Sequence, residues 1–209
     1  MSEPLLIIGS GGMAREIVDL VTAINTSQAR WSLRGIAAEE SPGCGLDSLW
    51  LGPIEALEAV AGVWFVVAEE EGETRTRLGR RCASLGLLPA TLVHPSATVG
   101  LDVRLGGGSV VFPHASLTTN ISLGTHVVIG PNATVAHDST LADGVTLGPG
   151  ANISGSVTIG AHSTLGSGCN VIERRRIGSG VSVGIGSVVI RDLADRVTAV
   201  GIPARPQGS

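Results

Sequence analysis

Residues 123–164 read LGTHVV IGPNAT VAHDST LADGVT LGPGAN ISGSVT IGAHST when they are written six at a time. Every block begins with Leu, Ile or Val, and the same spacing continues on both sides of this stretch. It includes seventeen positions without a break: Val93, Val99, Leu105, Val111, Leu117, Leu123, Ile129, Val135, Leu141, Leu147, Ile153, Ile159, Leu165, Val171, Ile177, Val183 and Val189. A six-residue period is typical of a parallel β-helix, in which each block forms one short strand and a corner. Because three blocks close one triangular coil, seventeen blocks predict between five and six coils.

The side chains of each block explain why the repeat folds. We expect the leading aliphatic residue to point inward and to stack on its equivalent eighteen residues later, about 4.8 Å along the axis. The fifth position is usually small or β-branched, which suits a narrow interior, and the glycines allow unusual backbone angles at the corners.

The whole-chain composition limits the classes of function. The 209 residues carry a net charge of −4, so the sequence has no basic footprint for nucleic acid or for an anionic membrane. No stretch is apolar enough to span a bilayer, and residues 1–8 do not resemble a signal peptide. The chain has three cysteines without metal-type spacing, which predicts a cytoplasmic protein. It contains no lysine, and this excludes Schiff-base chemistry.

The first ninety residues have a different pattern, in which strand-like and helix-like segments alternate. Strand-like runs lie at 5–8, 31–37 and 63–68, and helix-like runs lie at 15–24 and 74–85. This alternation predicts a small, Rossmann-like α/β domain with a parallel sheet. We therefore divide the chain into residues 1–90, an α/β acceptor-binding domain, and residues 91–209, the β-helix domain.

A glycine turn joins the first strand to the first helix. Its sequence, GSGGMA at residues 9–14, fits the G-x-G-x-x-A pattern that holds a pyrophosphate at a helix N-terminus. The backbone N–H groups of Gly11 and Gly12 are the candidate phosphate ligands. The alternative is a tight turn that needs small residues for packing alone.

Taken together, the two halves resemble a known family, the bacterial sugar O- and N-acetyltransferases with hexapeptide repeats, typified by the sialic acid O-acetyltransferase and the UDP-4-amino-sugar N-acetyltransferase. The hexapeptide signature of this family is that of a left-handed β-helix. The resemblance covers essentially the whole chain and rests on four segments: GSGGMAREIVD at 9–19, LVHPSA at 92–97, His137-Asp138, and VGIPAR at 200–205. It implies that the small domain holds a sugar nucleotide, that the β-helix forms a homotrimer, and that acetyl-CoA lies between neighbouring helices.

Five histidines compete for a catalytic role. His94 precedes a proline at the domain junction and is predicted to be structural. His114, His126 and His162 share the fourth position of their blocks. The last two are 36 residues apart, which is two coils or about 9.6 Å, and this is too far for one zinc ion within a chain. No metal is expected, and a site with ligands from two subunits is the alternative that stays open.

His137 is the better candidate because Asp138 follows it. Acyl transfer needs a base of near-neutral pKa, and an adjacent carboxylate fixes the tautomer of an imidazole. A His-Asp pair on a solvated corner is the alternative. Gly155 follows one coil later, so its N–H is a candidate donor to the oxyanion. The resemblance implies the same roles, because the catalytic histidine of the family and its oxyanion glycine fall on His137 and Gly155.

The resemblance also implies contacts to acetyl-CoA at three further positions: Thr146, Ser167 and Ile185. Arg174, Arg175 and Arg176 interrupt an otherwise neutral surface. They are either solvated turn charges or a clamp for the phosphates of CoA, a role that guanidinium groups suit.

The sequence departs from the family at the acceptor site. Met13 stands where the glycine turn of the family usually carries histidine, Ala38-Glu39 stands for an Asp-Asp pair, and Glu70 replaces a glycine. Three adjacent carboxylates at 69–71 would repel a diphosphate unless they point away. We therefore assign Gly11, Gly12, Met13 and Glu39 to acceptor binding and expect an altered acceptor.

These observations predict a cytoplasmic acetyltransferase that transfers the acetyl group of acetyl-CoA to an amino group of a sugar or nucleotide sugar, with His137 as general base. Two alternatives remain open at this level. One is O-acetylation of a sugar such as a sialic acid, and the other is a catalytically weak homologue that serves as a scaffold in a biosynthetic complex.

Overall fold

The computed structural model describes residues 2–57 and 62–207 of the chain. The first part is an α/β unit whose elements are β1 (Glu3–Ile8), α1 (Gly12–Ser27), β2 (Trp31–Ala37), β3 (Trp64–Val67), α2 (Gly72–Ser84) and β4 (Leu88–Pro89). Two short 3-10 helices, Asp47–Leu49 and Ile54–Ala56, lie between β2 and β3. The four strands are parallel, in the order β2-β1-β3-β4. The predicted Rossmann-like sheet is confirmed.

Burial explains why these segments fold as they do. In β1, Leu5, Ile7 and Ile8 are fully buried, as is typical of a strand in a parallel sheet that is covered on both faces. The buried positions of α1 recur at helical spacing and form one apolar face: Met13, Ala14, Ile17, Leu20 and Val21.

The second part is a left-handed parallel β-helix with three faces, each made of two-residue strands that pair at intervals of one coil. The five-stranded face consists of Arg104–Leu105, Ser122–Leu123, Thr140–Leu141, Thr158–Ile159 and Arg176–Ile177. The six-stranded face consists of Thr98–Val99, Ser116–Leu117, Thr134–Val135, Asn152–Ile153, Asn170–Val171 and Val188–Val189. The eight-stranded face consists of Leu92–Val93, Val110–Val111, Val128–Ile129, Thr146–Leu147, Thr164–Leu165, Ser182–Val183 and the hairpin Thr198–Gly201 and Ala204–Pro206.

The aliphatic ladder of the sequence forms the core of this helix. All fourteen of its members from Val111 to Val189 are buried, and they belong to one hydrophobic cluster. The first members are more open, and Val99 is 39% exposed. They lie in the first coil, where no earlier coil covers them.

The fourth position of almost every block has a positive φ angle, so each corner turns through the left-handed region. Gly, Asn, Asp and His occupy most of these positions, and these are the residue types that tolerate this region best. His114, His126 and His162 therefore stand at the fourth position for a reason of backbone geometry.

The last coil is shorter than the others. Ser182 pairs with Thr198 and Ile177 forms a bridge with Leu193, both at intervals of sixteen residues rather than eighteen. The repeat therefore ends after Val189, as the sequence predicts, and a β-hairpin closes this end of the helix.

The α/β unit packs on the early coils of the eight-stranded face. Leu92, Val110, Phe112 and Val128 form one hydrophobic cluster with the buried face of α1. Because this cluster crosses residue 90, the predicted division into domains at 90 and 91 stays a prediction. Neither α1 nor α2 has the length and apolar character that a membrane-spanning helix needs.

Candidate functional site

Two corners of the β-helix carry imidazole groups. The covered corner, between the five- and eight-stranded faces, holds a column of fourth-position residues: Gly108, His126, Gly144, His162 and Gly180. The open corner, between the six- and five-stranded faces, holds a second column: Asp102, Asn120, Asp138, Ser156 and Arg174. His137 precedes the central member of the second column.

A relay of three side chains lies at the open corner. The Nδ1 atom of His137 is 2.8 Å from Oδ2 of Asp138. The side-chain amide of Asn120 donates to the other oxygen, Oδ1 of Asp138, at 2.6 Å. Both members of the His137-Asp138 pair remain more than half exposed. The sequence predictions did not include Asn120. It lies eighteen residues before Asp138, which is one coil, so the six-residue period could have identified it.

These contacts set the protonation states. The hydrogen bond from Asn120, followed by that from His137, lowers the pKa of Asp138. The aspartate is therefore ionised at neutral pH and accepts a hydrogen bond from Nδ1–H of the imidazole. Because Nδ1 carries the proton in this arrangement, Nε2 is left as a free acceptor.

Gly155 lies directly against the imidazole, as the period predicts. A Cβ atom at residue 155 would lie 2.6 Å from Cε1 and 2.7 Å from Nε2 of His137. The neighbouring N–H of Ser156 donates to the carbonyl of His137 at 2.8 Å, which ties the two coils together. A side chain at residue 155 would displace the ring.

The imidazoles of the covered corner have a different environment. His126 is 7% exposed, and its ring lies between Gly79 of α2 and Gly108 of the coil below. Burial, followed by the nearby charge of Arg75, lowers the pKa of His126 to about 4. The Nδ1 atoms of His126 and His162 are buried, and each has no hydrogen-bond partner among the described residues. These rings fill space beneath α2.

The remaining histidines also make structural contacts. Nδ1 of His94 lies 3.0 Å from the backbone N–H of Ser96 and 2.7 Å from its hydroxyl. The N–H of His114 donates to the same hydroxyl at 3.1 Å. The structure brings neither residue to the open corner.

A cavity of about 330 Å³ lies between α1 and the eight-stranded face. It brings together Met13, a predicted acceptor residue, and Thr146, a predicted acetyl-CoA residue. Its charged lining residues are Glu16, Glu70 and Arg75. Sequence reasoning missed Glu16 and Arg75, since both read as ordinary residues of amphipathic helices.

The other predicted acceptor residues lie around the carboxyl edge of the sheet. Glu39 lines a smaller cavity of about 150 Å³ that also includes Gly9 and Glu69. Gly11 is the N-cap of α1 and supplies no side-chain cap, so the first N–H groups of this helix, which include that of Gly12, have no side-chain partner there.

The three adjacent glutamates point to three different places. Glu71 caps α2 by accepting from the N–H groups of Glu73 and Thr74, at 3.0 and 2.6 Å. Glu70 lines the cavity beside Met13, and Glu69 lies against Gly9. Partial burial, followed by the charge of Glu70, raises the pKa of Glu69. The three carboxylates therefore do not point into one common site, although the charges of Glu70 and Glu71 still act on Glu69.

The predicted acetyl-CoA residues are dispersed over the helix. Ser167 and Ile185 lie one coil apart at the third corner, between the eight- and six-stranded faces, and Ile185 is 80% exposed. Arg174 and Arg175 lie by the open corner, where Arg175 forms a 3.5 Å ion pair with Asp192. The described residues contain no cluster of three side chains that would hold a metal ion.

One chain therefore separates the two halves of the predicted site. The relay of His137 lies at the corner opposite the eight-stranded face, whereas Met13 and Thr146 line a cavity on that face. None of the five main cavities in the described part of the chain includes residues from both groups.

Comparison with known proteins identifies relatives over the full length of the chain. Residues 120–155 match the bacterial transferase hexapeptide family, six repeats. The fold is similar to that of a histidine-to-asparagine variant of perosamine N-acetyltransferase from Caulobacter crescentus, whose structure contains CoA and GDP-perosamine. The two chains are 30% identical with a TM-score of 0.90, and the match covers 99% of this chain and 97% of that one.

Two further relatives have the same architecture. The acetyltransferase domain of PglB from Neisseria gonorrhoeae FA1090 is 30% identical, with a TM-score of 0.88 and coverage of 98% of this chain and 100% of that one. It has also been solved with acetyl coenzyme A. WeeI from Acinetobacter baumannii AYE is 25% identical, with a TM-score of 0.83 and coverage of 96% and 99%. No curated protein matches the chain at a significant level.

Proposed function

The chain belongs to the hexapeptide-repeat sugar acetyltransferases, and we propose that it transfers the acetyl group of acetyl-CoA to an amino group of a sugar or nucleotide sugar, with His137 as the general base. The observation that carries this proposal is the relay from Asn120 through Asp138 to His137, which leaves Nε2 free at an exposed corner. An intact relay also favours an active enzyme over a catalytically weak scaffold.

His137 removes a proton from the acceptor amine as the nitrogen attacks the thioester carbonyl. Nε2 is the accepting atom, because Nδ1 already donates to the ionised Asp138. As Nε2 gains the proton, the imidazolium is stabilised by Asp138, which is itself held by Asn120. The proton then passes to the departing thiolate of CoA.

Gly155 supplies the oxyanion donor in this proposal. The tetrahedral intermediate places a negative charge on the former carbonyl oxygen, and a backbone N–H within about 3 Å stabilises it. The contact between residue 155 and the ring of His137 puts this group beside the base.

Acetyl-CoA is the donor, since relatives have been solved with acetyl-CoA or CoA. We assign Ser167, Ile185 and Thr146 to its pantetheine side. Arg174 and Arg175 are assigned to its phosphates, because both guanidinium groups lie at the same end of the open corner.

The charge of the cavity beside α1 favours an amine over a hydroxyl as the acceptor. Two carboxylates, those of Glu16 and Glu70, outnumber the one cation of this cavity, Arg75, so its lining carries a net negative charge. This charge attracts an ammonium group, which releases one proton to solvent before the free amine attacks, and it gives no advantage to a neutral hydroxyl. Met13 lies in this cavity, and Gly11, Gly12 and Glu39 extend the acceptor site towards the edge of the sheet.

A homotrimer completes the site in this proposal. Since His137 and the cavity of Met13 lie on different sides of one chain, the two halves meet only if another copy presents its open corner to the cavity. A closed three-fold ring does this at three equivalent interfaces. Sedimentation is expected to give a trimer, and a fully active monomer would contradict this arrangement.

Subunit mixing tests the shared site directly. His137→Ala removes the base, and Thr164→Trp fills the cavity from an outward-facing strand position. We expect each variant alone to be nearly inactive. When the two are co-expressed with different tags, a mixed trimer has one of three interfaces with an intact base and an open cavity, so about a third of the wild-type activity is expected in mixed trimers purified by both tags. No recovery would mean that each site lies within one chain.

Release of the CoA thiol measures the reaction itself. Free amino sugars, their nucleotide-linked forms and the matching hydroxyl sugars are to be compared as acceptors. We expect turnover with at least one amino sugar and none with its hydroxyl counterpart. Turnover of hydroxyl sugars alone would replace N-acetylation with O-acetylation, and no turnover with any acceptor would reject the proposed function.

A further inference from the structure

Arg75 has an unusual position for an arginine, because it is completely buried. Its relative exposure is 0%, and it lies on α2 between the α/β unit and the β-helix. Burial lowers the pKa of Arg75 to about 10, so it remains a cation at neutral pH. Within the described residues it forms no ion pair.

Backbone carbonyls, rather than a carboxylate, accept most hydrogen bonds of this guanidinium. Nη1 donates to the carbonyls of Glu69 and Glu70, at 2.7 and 2.9 Å, in the loop that precedes α2. Nε donates to the carbonyl of His126 at 2.8 Å, in the β-helix. Nη2 donates to the carbonyl of Gly144 at 3.0 Å.

Nη2 also donates to the hydroxyl of Thr146 at 2.8 Å, and Thr146 lines the cavity beside α1. Glu70 also lines this cavity, and its carbonyl accepts a 3.4 Å hydrogen bond from the hydroxyl of Thr146. One planar group therefore connects the acceptor side of the cavity with the side assigned to acetyl-CoA. The five N–H groups of a guanidinium have fixed directions, so they impose a distance as well as a contact.

The packing of α2 supports the same connection. Gly72 and Gly79 flank Arg75 on one face of this helix, and each lies against the covered corner without space for a Cβ atom. The close approach of the helix brings the guanidinium within reach of the carbonyls of His126 and Gly144.

We propose that Arg75 is a positioning residue that holds the loop of Glu69 and Glu70 at a fixed distance from Thr146 and so sets the geometry for the acceptor. This inference rests on the proposed function for its kinetic consequence. It does not assign Arg75 a contact with the reacting atoms, since its donors are already occupied by the protein.

Arg75→Lys tests the role of the planar guanidinium. Lysine keeps the charge, but its single ammonium cannot contact both the loop of Glu69 and Glu70 and the hydroxyl of Thr146. We expect the KM for the acceptor to rise at least ~10-fold, because the loop of Glu69 and Glu70 loses its donor. The KM for acetyl-CoA should stay within ~2-fold, because strand pairing in the β-helix holds Thr146 in place. Arg75→Met, which removes the charge as well, is expected to show the same pattern with a lower melting temperature. Arg80→Met is the matched control on the exposed side of α2, and it should leave both KM values unchanged.

Hydrogen exchange provides a readout that does not depend on activity. Amides of residues 68–71 are expected to exchange faster in Arg75→Lys, whereas those of β1 should not change. If the wild type acetylates no sugar, the proposed function fails, and the exchange rates still test the connection. Unchanged exchange and unchanged acceptor KM would overturn the inference. Global unfolding of both Arg75 variants would also overturn it, because Arg75 would then be required for folding rather than for cavity geometry.

Discussion

The covered corner and the open corner are built from the same repeat, yet the imidazole is buried at the first and exposed at the second. At the covered corner, α2 lies on His126, the ring is 7% exposed, and its pKa falls to about 4. At the open corner, the side chain of His137 is 59% exposed, and a carboxylate and an amide orient it. A glycine lies against the ring in both cases. The two corners therefore differ in what covers them rather than in the fold of the repeat.

This difference shows that its position in the repeat alone does not make a histidine functional. His126 occupies a fourth position, where its left-handed backbone is tolerated, and its ring packs beneath a helix. His137 occupies a third position, and the left-handed residue there is Asp138, which carries the orienting carboxylate. A helix over the open corner would bury the base and withdraw it from substrate.

The largest expected effect comes from removing the imidazole at the open corner. His137→Ala should lower turnover about 10²–10⁴-fold, which is the usual contribution of a general base. The affinity for acetyl-CoA, measured by calorimetry, should remain nearly the same. His162→Asn is the control from the covered corner, and it should retain wild-type turnover. Near-wild-type activity in His137→Ala would mean that the amine loses its proton without this side chain.

A matched pair of glycine substitutions separates packing from catalysis. Gly79→Ala directs a methyl group at the buried ring of His126, which packs between α2 and Gly108, so we expect a loss of about 1–3 kcal/mol in unfolding free energy. Gly155→Ala directs a methyl group at the exposed ring of His137, which can turn into solvent.

The second variant should therefore keep its stability within about 0.5 kcal/mol. Its turnover should fall about 10²-fold, because the base is displaced. Chemical denaturation and initial rates measure the two quantities in both proteins. Equal losses of stability in the two variants would remove the distinction between the corners.

Asp138→Asn tests how far orientation contributes at the open corner. The amide keeps the shape of the side chain but no longer selects the tautomer with a proton on Nδ1, so turnover should fall, though by less than in His137→Ala because the imidazole is still present. The reference is the loss in His137→Ala, measured under the same conditions. A greater loss in Asp138→Asn would identify the aspartate as the base.

The smallest expected effect at neutral pH concerns protonation at the covered corner. The pKa of His126 is lowered from 6.5 to about 4 in the folded protein, so above pH 6.5 neither state binds this proton. As the pH falls from 6.5 to about 4, the unfolded chain takes up a proton that the folded chain excludes. Stability is thereby lost at up to about 1.4 kcal/mol per pH unit.

His126→Asn removes this titration and retains a residue that tolerates a left-handed corner. The unfolding free energy, measured by denaturation at several pH values between 7 and 4, should therefore fall less with decreasing pH in this variant than in the wild type. Parallel pH dependences for the two proteins would show that His126 does not titrate on unfolding.

Much of the architecture could be predicted from local chemistry. The six-residue period predicted the β-helix, its length and its inward ladder, and the alternation of residues 1–90 predicted the parallel sheet. The bounds of β2 agree with the predicted 31–37, whereas α2 begins at Gly72 rather than at residue 74. Glu71 explains this difference, since its carboxylate caps the helix two residues earlier.

Only part of the candidate site could be predicted from the sequence. The spacing of eighteen residues placed Gly155 beside His137, because stacking in a solenoid converts sequence separation into distance. The same spacing stacks Asn120 against Asp138, but the sequence predictions did not include this residue. Arg75 and Glu16 had no such signal, since their partners lie in a different part of the chain.

Local sequence therefore specifies the features that repeat, namely the β-helix, its core and its left-handed corners. It also specifies the pairing of the adjacent residues His137 and Asp138. Each depends on neighbours at a fixed separation along the chain, so the period contains the information. Only the tertiary structure decided which corner α2 covers, which charges the cavity beside α1 contains, and that Arg75 joins the two parts of the molecule. These features depend on how an α/β unit docks on a helix, and docking follows from the shapes and burial of two surfaces that are distant in sequence.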